Sequence, residues 1–568
     1  MTQPVRNTAP SPLPPMPFNI AQAKTVTLEN GLKIVMFADK RLPLVSYRLA
    51  FLAGDANEPT DKIGVTSAVA AMMTEGTDNY SSRELAEKIE RLGAAVSAAT
   101  TEDFFIVAGS SLSMYASDVL SLIAEVIFRP TFPEDELDLY KRNAIENLKF
   151  QRSQPNFLAG EQVAKAVYGE HPYSIVSPSP SDIENLNRES LRDFHQKLFI
   201  PNNAILVVVG DIEENEFLDQ ARDLFGGWNR GLTPSVKFSE PPRREKRETI
   251  IVDRPGSAQA NIVLANIAFS RNNPDFFAAT VMNQILGAGA SSRVFMNLRE
   301  EKGYTYGAYT RLDPKRLAGD FEATTEVRTA VTGDSLREFF YELNRIRDEK
   351  ASDDELADAK NFLTGVFPIR AETQEGLTNL IVNQQLYGLP SDYLQTYRDN
   401  IEKITADDVV RVANKYVQPD DITIVIVGDA GEILPQVREY ADSIRIIDTE
   451  GHPLDMASFE QQADEPSVDA SGTWELSLDF QGQKVPVSLE LQHDDGKLTG
   501  KIETVIGTGV IENGSIRGKK LTAAAITEIQ GQSVEFSISG TIDADSIEGT
   551  LSAPIIPDSL AFEGKRVS

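Results

Sequence analysis

The chain contains no cysteine, which removes disulfides, thiolate metal sites and a cysteine nucleophile at once. Histidine is almost as scarce. His171, His195, His452 and His493 are the only four in 568 residues, and no two stand at a ligand spacing such as i, i+4. Positive charge is in deficit, with 55 lysines and arginines against 85 aspartates and glutamates, a net charge of −30. Such a surface repels phosphate, which argues against nucleic acid as a partner. The densest basic run, Arg243, Arg244, Lys246 and Arg247, follows Pro241-Pro242 and is interleaved with Glu245 and Glu248, a linker signature. No apolar run approaches the roughly 18 residues that span a bilayer. The opening stretch, MTQPVRNTAPSPLPPMPF, lacks the apolar segment of a signal peptide and reads as an extended, proline-rich, disordered leader.

What is present is an ordinary globular composition, 41% hydrophobic and 25% charged, in a chain too long for one core. After the leader, Asn30-Gly31 marks a hairpin turn between alternating apolar runs, and a helical segment starts near Gly64. Ser81 and Glu84 form a capping box for a helix with Leu85, Ile89 and Leu92 on one face, and Val96 to Gly109 reads as strand. Strands and helices alternate without a strict βαβ rhythm, so the expectation is α+β layers.

The organising fact is a duplication. Phe199-Ile200-Pro201-Asn202-Asn203 leading to Val207-Val208-Val209-Gly210-Asp211 recurs, 218 residues later, as Tyr416-Val417-Gln418-Pro419-Asp420-Asp421 leading to Val425-Ile426-Val427-Gly428-Asp429. Asp135-Glu136-Leu137 with Lys141 recurs at an offset of 219 as Asp354-Glu355-Leu356 with Lys360. Repeats in the same order define two copies of one domain. The expected division is a leader at 1–19, a first domain at 20–232, a linker at 233–248, a second domain at 249–448, an acidic linker at 449–470 and an accessory domain at 471–568. In the last, short alternating segments and turns such as Asp494-Asp495-Gly496 predict an all-β sandwich or small barrel with no titratable cluster.

Ser291 to Thr310 carries the one candidate for chemistry. Val294, Phe295 and Leu298 recur at helical spacing, and Gly303 stands where a left-handed cap ends a helix. Tyr304 and Tyr306, two apart, are predicted to share one face of the strand that follows, with Arg299 turned towards Tyr306. Both side chains can hold a carbonyl oxygen or a carboxylate. The competing reading is ordinary: strand tyrosines and a solvated arginine.

The duplicated halves resemble the pitrilysin, insulinase and mitochondrial processing peptidase family of zinc endopeptidases. The resemblance spans about 20–448 and rests on NGLKIV (30–35), Gly76-Thr77, RLGAAVSAATTEDF (91–104), RPTFPEDEL (129–137), PNNAILVVVGD (201–211), DRPGSAQA (253–260) and LGAGASSRVFMNLREEKGYTYGAY (286–309). Active members carry His-x-x-Glu-His on a helix shortly before that Gly-Thr, with a distal glutamate as third ligand. Here the two histidine positions fall on Ser67 and Ala71, the base position on Ala70, and the distal position on Asn147, beside Glu146. No cofactor is therefore expected in this chain, and Glu75 and Glu102 are expected to be solvated.

The resemblance also implies a way for the chain to act. Some members are heterodimers in which one subunit keeps the zinc motif and the other has lost it. Many carry an arginine and a tyrosine seven residues apart that hold the substrate carbonyl; Arg299 and Tyr306 match them. It further implies that each chain forms half of a clamshell chamber, and that a peptide or unfolded segment adds as a strand along Ser97, Ala98, Ala99 and Thr100. The expected partner is a zinc-bearing homologous subunit. The alternative is a peptide-binding or structural homodimer without catalysis. A periplasmic or other extracytoplasmic location is expected, with the cytoplasm as the alternative.

Overall fold

A computed structural model describes residues 18–233, 238–459, 468–480, 483–494, 497–504, 507–529, 532–552 and 559–567. Residues 1–17 of the leader, 460–467 of the acidic linker and the Asp495-Gly496 turn lie outside the described residues.

The first sheet is built from β1 (Lys24–Thr27), β2 (Lys33–Ala38), β3 (Leu44–Phe51), β4 (Ala95–Thr100), β5 (Phe105–Leu112) and β6 (Ala204–Gly210), in the order β1-β2-β6-β3-β5-β4. The second contains β7 (Glu248–Asp253), β8 (Gln259–Ile267), β9 (Ala308–Pro314), β10 (Gly319–Arg328), β11 (Thr423–Gly428), β12 (Ser443–Ile447) and β13 (Pro453–Leu454), in the order β13-β12-β7-β11-β8-β10-β9. Without β1, β12 and β13 the two sheets are the same object. Strand orders β2-β6-β3-β5-β4 and β7-β11-β8-β10-β9 coincide, each with one parallel pair, β2–β6 and β7–β11. The expected duplication is thus a duplication of topology.

Three helices of the first half matter for the site: α1 (Val65–Met72), α2 (Glu134–Ser153) and α3 (Pro155–Tyr168). In the second half, α4 (Thr332–Asp348) precedes α5 (Asp353–Glu372) and α6 (Gln374–Leu386), which are the counterparts of α2 and α3. Leu49, Phe51, Val107, Leu206 and Val208 form the first core together with Val65, Ala68, Val69 and Met72 of α1. The other face of each sheet is covered by a helix from the opposite half. Leu158, Val163 and Val167 of α3 pack on Ile250, Val252, Val263 and Val425 of the second sheet. Leu377, Ile381 and Val382 of α6 pack on Val35, Ala50, Val207 and Val209 of the first. Each such side chain removed from water is worth about 1.5–3 kcal/mol, so separating the halves would expose two cores.

The two equivalent hairpin tips also meet. The Asp103 carboxylate accepts from Arg316 N (3.0 Å) and from the Tyr173 hydroxyl (2.5 Å), while the Tyr168 hydroxyl donates to Asp320 (2.6 Å). Lys315 lies among Asp313 (2.7 Å), Asp320 (3.4 Å) and Glu102 (3.8 Å). The halves are joined by both oil and charge.

The accessory domain resolves the choice between sandwich and barrel. Strands β14 (Gly472–Phe480), β15 (Gln483–Asp494), β16 (Lys497–Thr504), β17 (Gly507–Arg517), β18 (Lys520–Ile529), β19 (Gln532–Asp543), β20 (Ser546–Ser552) and β21 (Leu560–Arg566) close into an antiparallel barrel. Trp474, Leu476, Leu489, Ile502, Leu521, Ile538 and Phe562 fill its interior, as inward positions of a small barrel do. Its outer face meets the second half across a cleft of about 880 Å³, with the Ser515 hydroxyl donating to Glu432 (3.3 Å).

Candidate functional site

Helix α1 starts where it does because Gly64 adopts φ +87° and the Glu58 carboxylate accepts from the N–H groups of Gly64 and Thr66, both at 2.8 Å. An acid at the positive end of a helix satisfies otherwise orphaned donors. Val65, Ala68, Val69 and Met72 turn into the core, leaving Ser67 and Ala71 exposed one helical turn apart. Ala70, between them, is buried. Helix α1 packs against α2 and β4, so the elements that carry the first-half candidates are neighbours. On α2, Asn147 and Glu146 are both exposed, and Glu146 is paired with Lys149 (2.7 Å). The donors around this face are one hydroxyl and one amide, with methyl groups between. They do not fit zinc, which needs imidazole, thiolate or carboxylate ligands.

Beside that face runs β4, the edge of the first sheet. Thr101 N donates to Phe104 O (2.8 Å) to close the β4–β5 hairpin. Alternation then points the N–H groups of Ala95, Ser97 and Ala99 towards β5 and those of Val96, Ala98 and Thr100 outwards. The duplication supplies a control. Ala98 lies opposite Val107, Leu49 and Leu206 in succession, and Thr310 of β9 lies opposite Ala323, Leu264 and Ile424. Ala98 and Thr310 are therefore equivalent positions. In the second sheet, Thr310 N donates to Gly287 O (3.0 Å) and Thr310 O accepts from Asn283 Nδ2 (3.3 Å). Gly287 is required there, since a Cβ would stand 2.4 Å from Thr310 Oγ1. Among the described residues no such neighbour occupies Ala98. One edge is sealed by its own loop and the other is open.

Arg299 and Tyr306 lie in the second half. The helix predicted before Gly303 is present, but it is wound in two ways: α-helical over Arg293–Phe295 and π-helical over Met296–Glu301. Gly303 has φ +64°, and Tyr304 N donates to Leu298 O (3.0 Å), a left-handed ending as expected. The tyrosine pair is a correction. Strand β9 starts only at Ala308, so Tyr304 and Tyr306 share no strand face; Tyr304 packs against the core and Tyr306 is 93% exposed. The cause is Thr305. Its hydroxyl donates to Glu326 O (2.7 Å) and accepts from Gly307 N (3.0 Å), taking the place of ladder bonds. The Arg299 guanidinium pairs with Glu300 (2.9 Å) and lies 4.9 Å over the Phe295 ring. Among the described residues no hydrogen bond joins Arg299 to Tyr306, or either of them to α1, α2 or β4.

The histidines serve structure. His195 Nε2 donates to Ile127 O (2.9 Å), and burial pushes its imidazole down to about 4. His171 Nδ1 accepts from Tyr173 N (3.2 Å). Asp448, Glu450 and His452 are the one group of three potential ligands found within 4.8 Å of one another among the described residues. They form a turn in which Asp448 accepts from the N–H groups of Glu450 and His452. Two carboxylates expected to be solvated have partners: Glu75 accepts from the Ser82 hydroxyl (2.5 Å), and Glu102 faces Lys315. Sequence reading missed Asp55. Burial first, then Glu58 and Glu102, push its carboxyl up to about 7, while the Thr100 hydroxyl of β4 donates to it (3.1 Å). The only signal in the sequence was three acids near two unrelated loops.

Comparisons with known proteins identify the family. Residues 33–179 match the insulinase (peptidase family M16) model, and residues 185–363 match the peptidase M16 inactive domain. The uncharacterized zinc protease YmxG of Bacillus subtilis is 26% identical over 293 residues, 50% of this chain and 69% of that protein. The non-peptidase homolog YmxG of Helicobacter pylori is 21% identical over 68% of this chain and 90% of its own length. Zinc protease PqqE from the same organism is 22% identical over 71% of this chain and 92% of its own. A crystal structure of a peptidase M16 inactive domain from Pseudomonas fluorescens superposes with a TM-score of 0.67 at 26% identity, covering 72% of this chain and 98% of that one. The chain belongs to the peptidase M16 family, as a member whose metal-site helix carries none of the imidazoles the metal needs.

Proposed function

We propose that this chain is the zinc-less subunit of a two-chain zinc endopeptidase. It binds an extended peptide along β4 and offers Arg299 and Tyr306 to a catalytic centre on a homologous partner. The observation that carries the reading is an open strand edge, with Ala98 free, beside a helix face stripped of metal ligands. Binding has been kept where hydrolysis has been lost. An added strand gains main-chain hydrogen bonds along the edge, while the small side chains of Ala95, Ser97 and Ala99 leave room above it.

The interlocked halves support the need for a second chain. With α3 on the second sheet and α6 on the first, the two halves are poorly suited to open as jaws, so a chamber is completed by a partner. Helicobacter pylori provides a parallel, having one relative named a non-peptidase homolog and another named a zinc protease. In the assembled pair, Arg299 and Tyr306 would hold the substrate carbonyl oxygen as it gains charge. The exposure of Tyr306 and the weak commitment of Arg299 to a neighbouring glutamate leave both available for this.

The test is co-purification. Tagged full-length chain, isolated from its native host, should bring down one homologous chain bearing His-x-x-Glu-His. The complex should hold one zinc per pair, and this chain purified alone should hold none. Recovery only as a homodimer would favour a peptide-binding protein without catalysis.

A further inference from the structure

The turn that carries Arg299 is wound one residue too wide. Lys302 N donates to Asn297 O, five residues back, at 3.0 Å. π-helical turns are short and rare, and they persist where something outside the helix holds them. Here two buried polar side chains do so.

The first is Arg293. Its side chain is 5% exposed, and it grips Glu355 with two parallel bonds, Nε to Oε1 (2.6 Å) and Nη2 to Oε2 (3.0 Å). Glu355 is itself fixed, because it accepts from Ser352 N (2.8 Å) in the capping box of α5. Arg293 draws the Glu355 carboxyl down to about 2, against the cost of burial. The second is Asn297, also buried. Its Nδ2 donates to Glu342 Oε1 (2.9 Å) and to Glu338 Oε2 (3.2 Å), two buried carboxylates one turn apart on α4. The charges of those acids are balanced from the rim by Arg345 (3.4 Å), Arg337 (3.4 Å) and Lys302 (3.8 Å). Between the anchors, Val294 and Leu298 are fully buried. Residues 293, 294, 297 and 298 thus face inwards and Arg299 outwards. A partner for Arg299 other than Glu300 would find it already aimed.

We propose that Arg293 and Asn297 are positioning residues, which lock the wide turn onto α4 and α5 and so set where Arg299 is presented. This rests on the role given to Arg299 above, and it adds the device that aims it. A merely structural role for the same residues predicts lower stability and nothing specific to Arg299.

The experiment is a double-mutant cycle on the full chain with two readouts. The first readout is kcat/KM for reduced and carboxymethylated α-lactalbumin, an unfolded polypeptide, measured on the complex with the zinc-bearing homologue. Arg299→Ala should lower it about 100-fold, as loss of an oxyanion donor does. Asn297→Ala should lower it about 10-fold, and the double variant no more than Arg299→Ala alone. Full additivity would overturn the proposal. The second readout needs no ligand: amide hydrogen exchange of residues 298–306 should speed up at least about 10-fold in Asn297→Ala, with α4 unchanged. Unaltered exchange there would overturn it too. If Asn297→Ala does not fold, Arg293→Lys replaces it, keeping the charge but losing the two-pronged grip, and the same outcomes apply. Should Arg299→Ala leave kcat/KM at the wild-type value, the role of Arg299 fails, while the exchange readout still decides whether Asn297 holds the turn.

Discussion

Asp55 sits where burial and two neighbouring acids, Glu58 and Glu102, oppose its ionisation, and its carboxyl titrates near 7 in place of the usual carboxylate range. Tyr140 of α2 is pushed up to about 12 by burial, then by Glu58 and Asp55. The folded state prefers Asp55 protonated. Its contribution to stability is therefore whole below the unfolded value of 3.8 and is lost as pH rises through about 7. Each unit between the two values corresponds to about 1.4 kcal/mol, less what solvent screens. Asp55→Asn is expected to raise the melting temperature by several degrees at pH 8 and by almost nothing at pH 4; a gain of equal size at both values would contradict the assignment. Because Thr100 of β4 bonds Asp55, the same variant reports on the edge proposed to take the peptide. None of this was legible in the sequence, since Asp55, Glu58 and Glu102 are gathered by loops whose paths depend on the whole sheet. The emptied metal helix was legible, because Ser67, Ala70 and Ala71 lie within one turn and their missing donors need no tertiary knowledge.

At the scale of elements, β4 is the feature with the clearest consequence. Proline at an outward-pointing edge position removes one donor without breaking the ladder to the inner strand. Ala98→Pro should thus cost little stability and weaken peptide binding about 10-fold or more. Ala99→Pro removes an N–H that points to β5, so it should instead lower the melting temperature markedly. If Ala98→Pro binds peptide as well as the wild type, β4 is not where the peptide adds. Most strands were visible as alternating runs, and the second-half copy followed from the 218-residue offset. The start of β9 was misplaced because one hydroxyl, Thr305, replaced backbone ladder bonds, an exchange that alternation cannot signal. The π-helical turn was hidden for a similar reason. Val294 and Leu298 fit an α-helix, and the extra residue is set by Glu355, Glu338 and Glu342, which lie far along the chain.

At the scale of the molecule, two copies of one domain have diverged in opposite directions. The first keeps an open strand edge and has lost its metal ligands. The second has sealed its edge with Gly287 and presents Arg299 and Tyr306. The exchange of α3 and α6 between the sheets binds both copies into one body, and no local pattern could reveal it, because each helix is apolar towards whichever sheet it meets. The choice between sandwich and barrel was equally closed to sequence, as both alternate inward and outward residues; only the pairing of β14 with β21 decides it. The central claim is that this body is one half of a catalytic pair and that its second copy acts across the interface. The most direct measurement is kcat/KM for an unfolded polypeptide substrate in an equimolar mixture of this chain with its homologue bearing His-x-x-Glu-His. Neither chain alone should hydrolyse it at more than background, the mixture should, and Arg299→Ala in this chain should lower the mixture's kcat/KM about 100-fold. Full activity of the homologue alone, or of the mixture containing Arg299→Ala, would contradict the account.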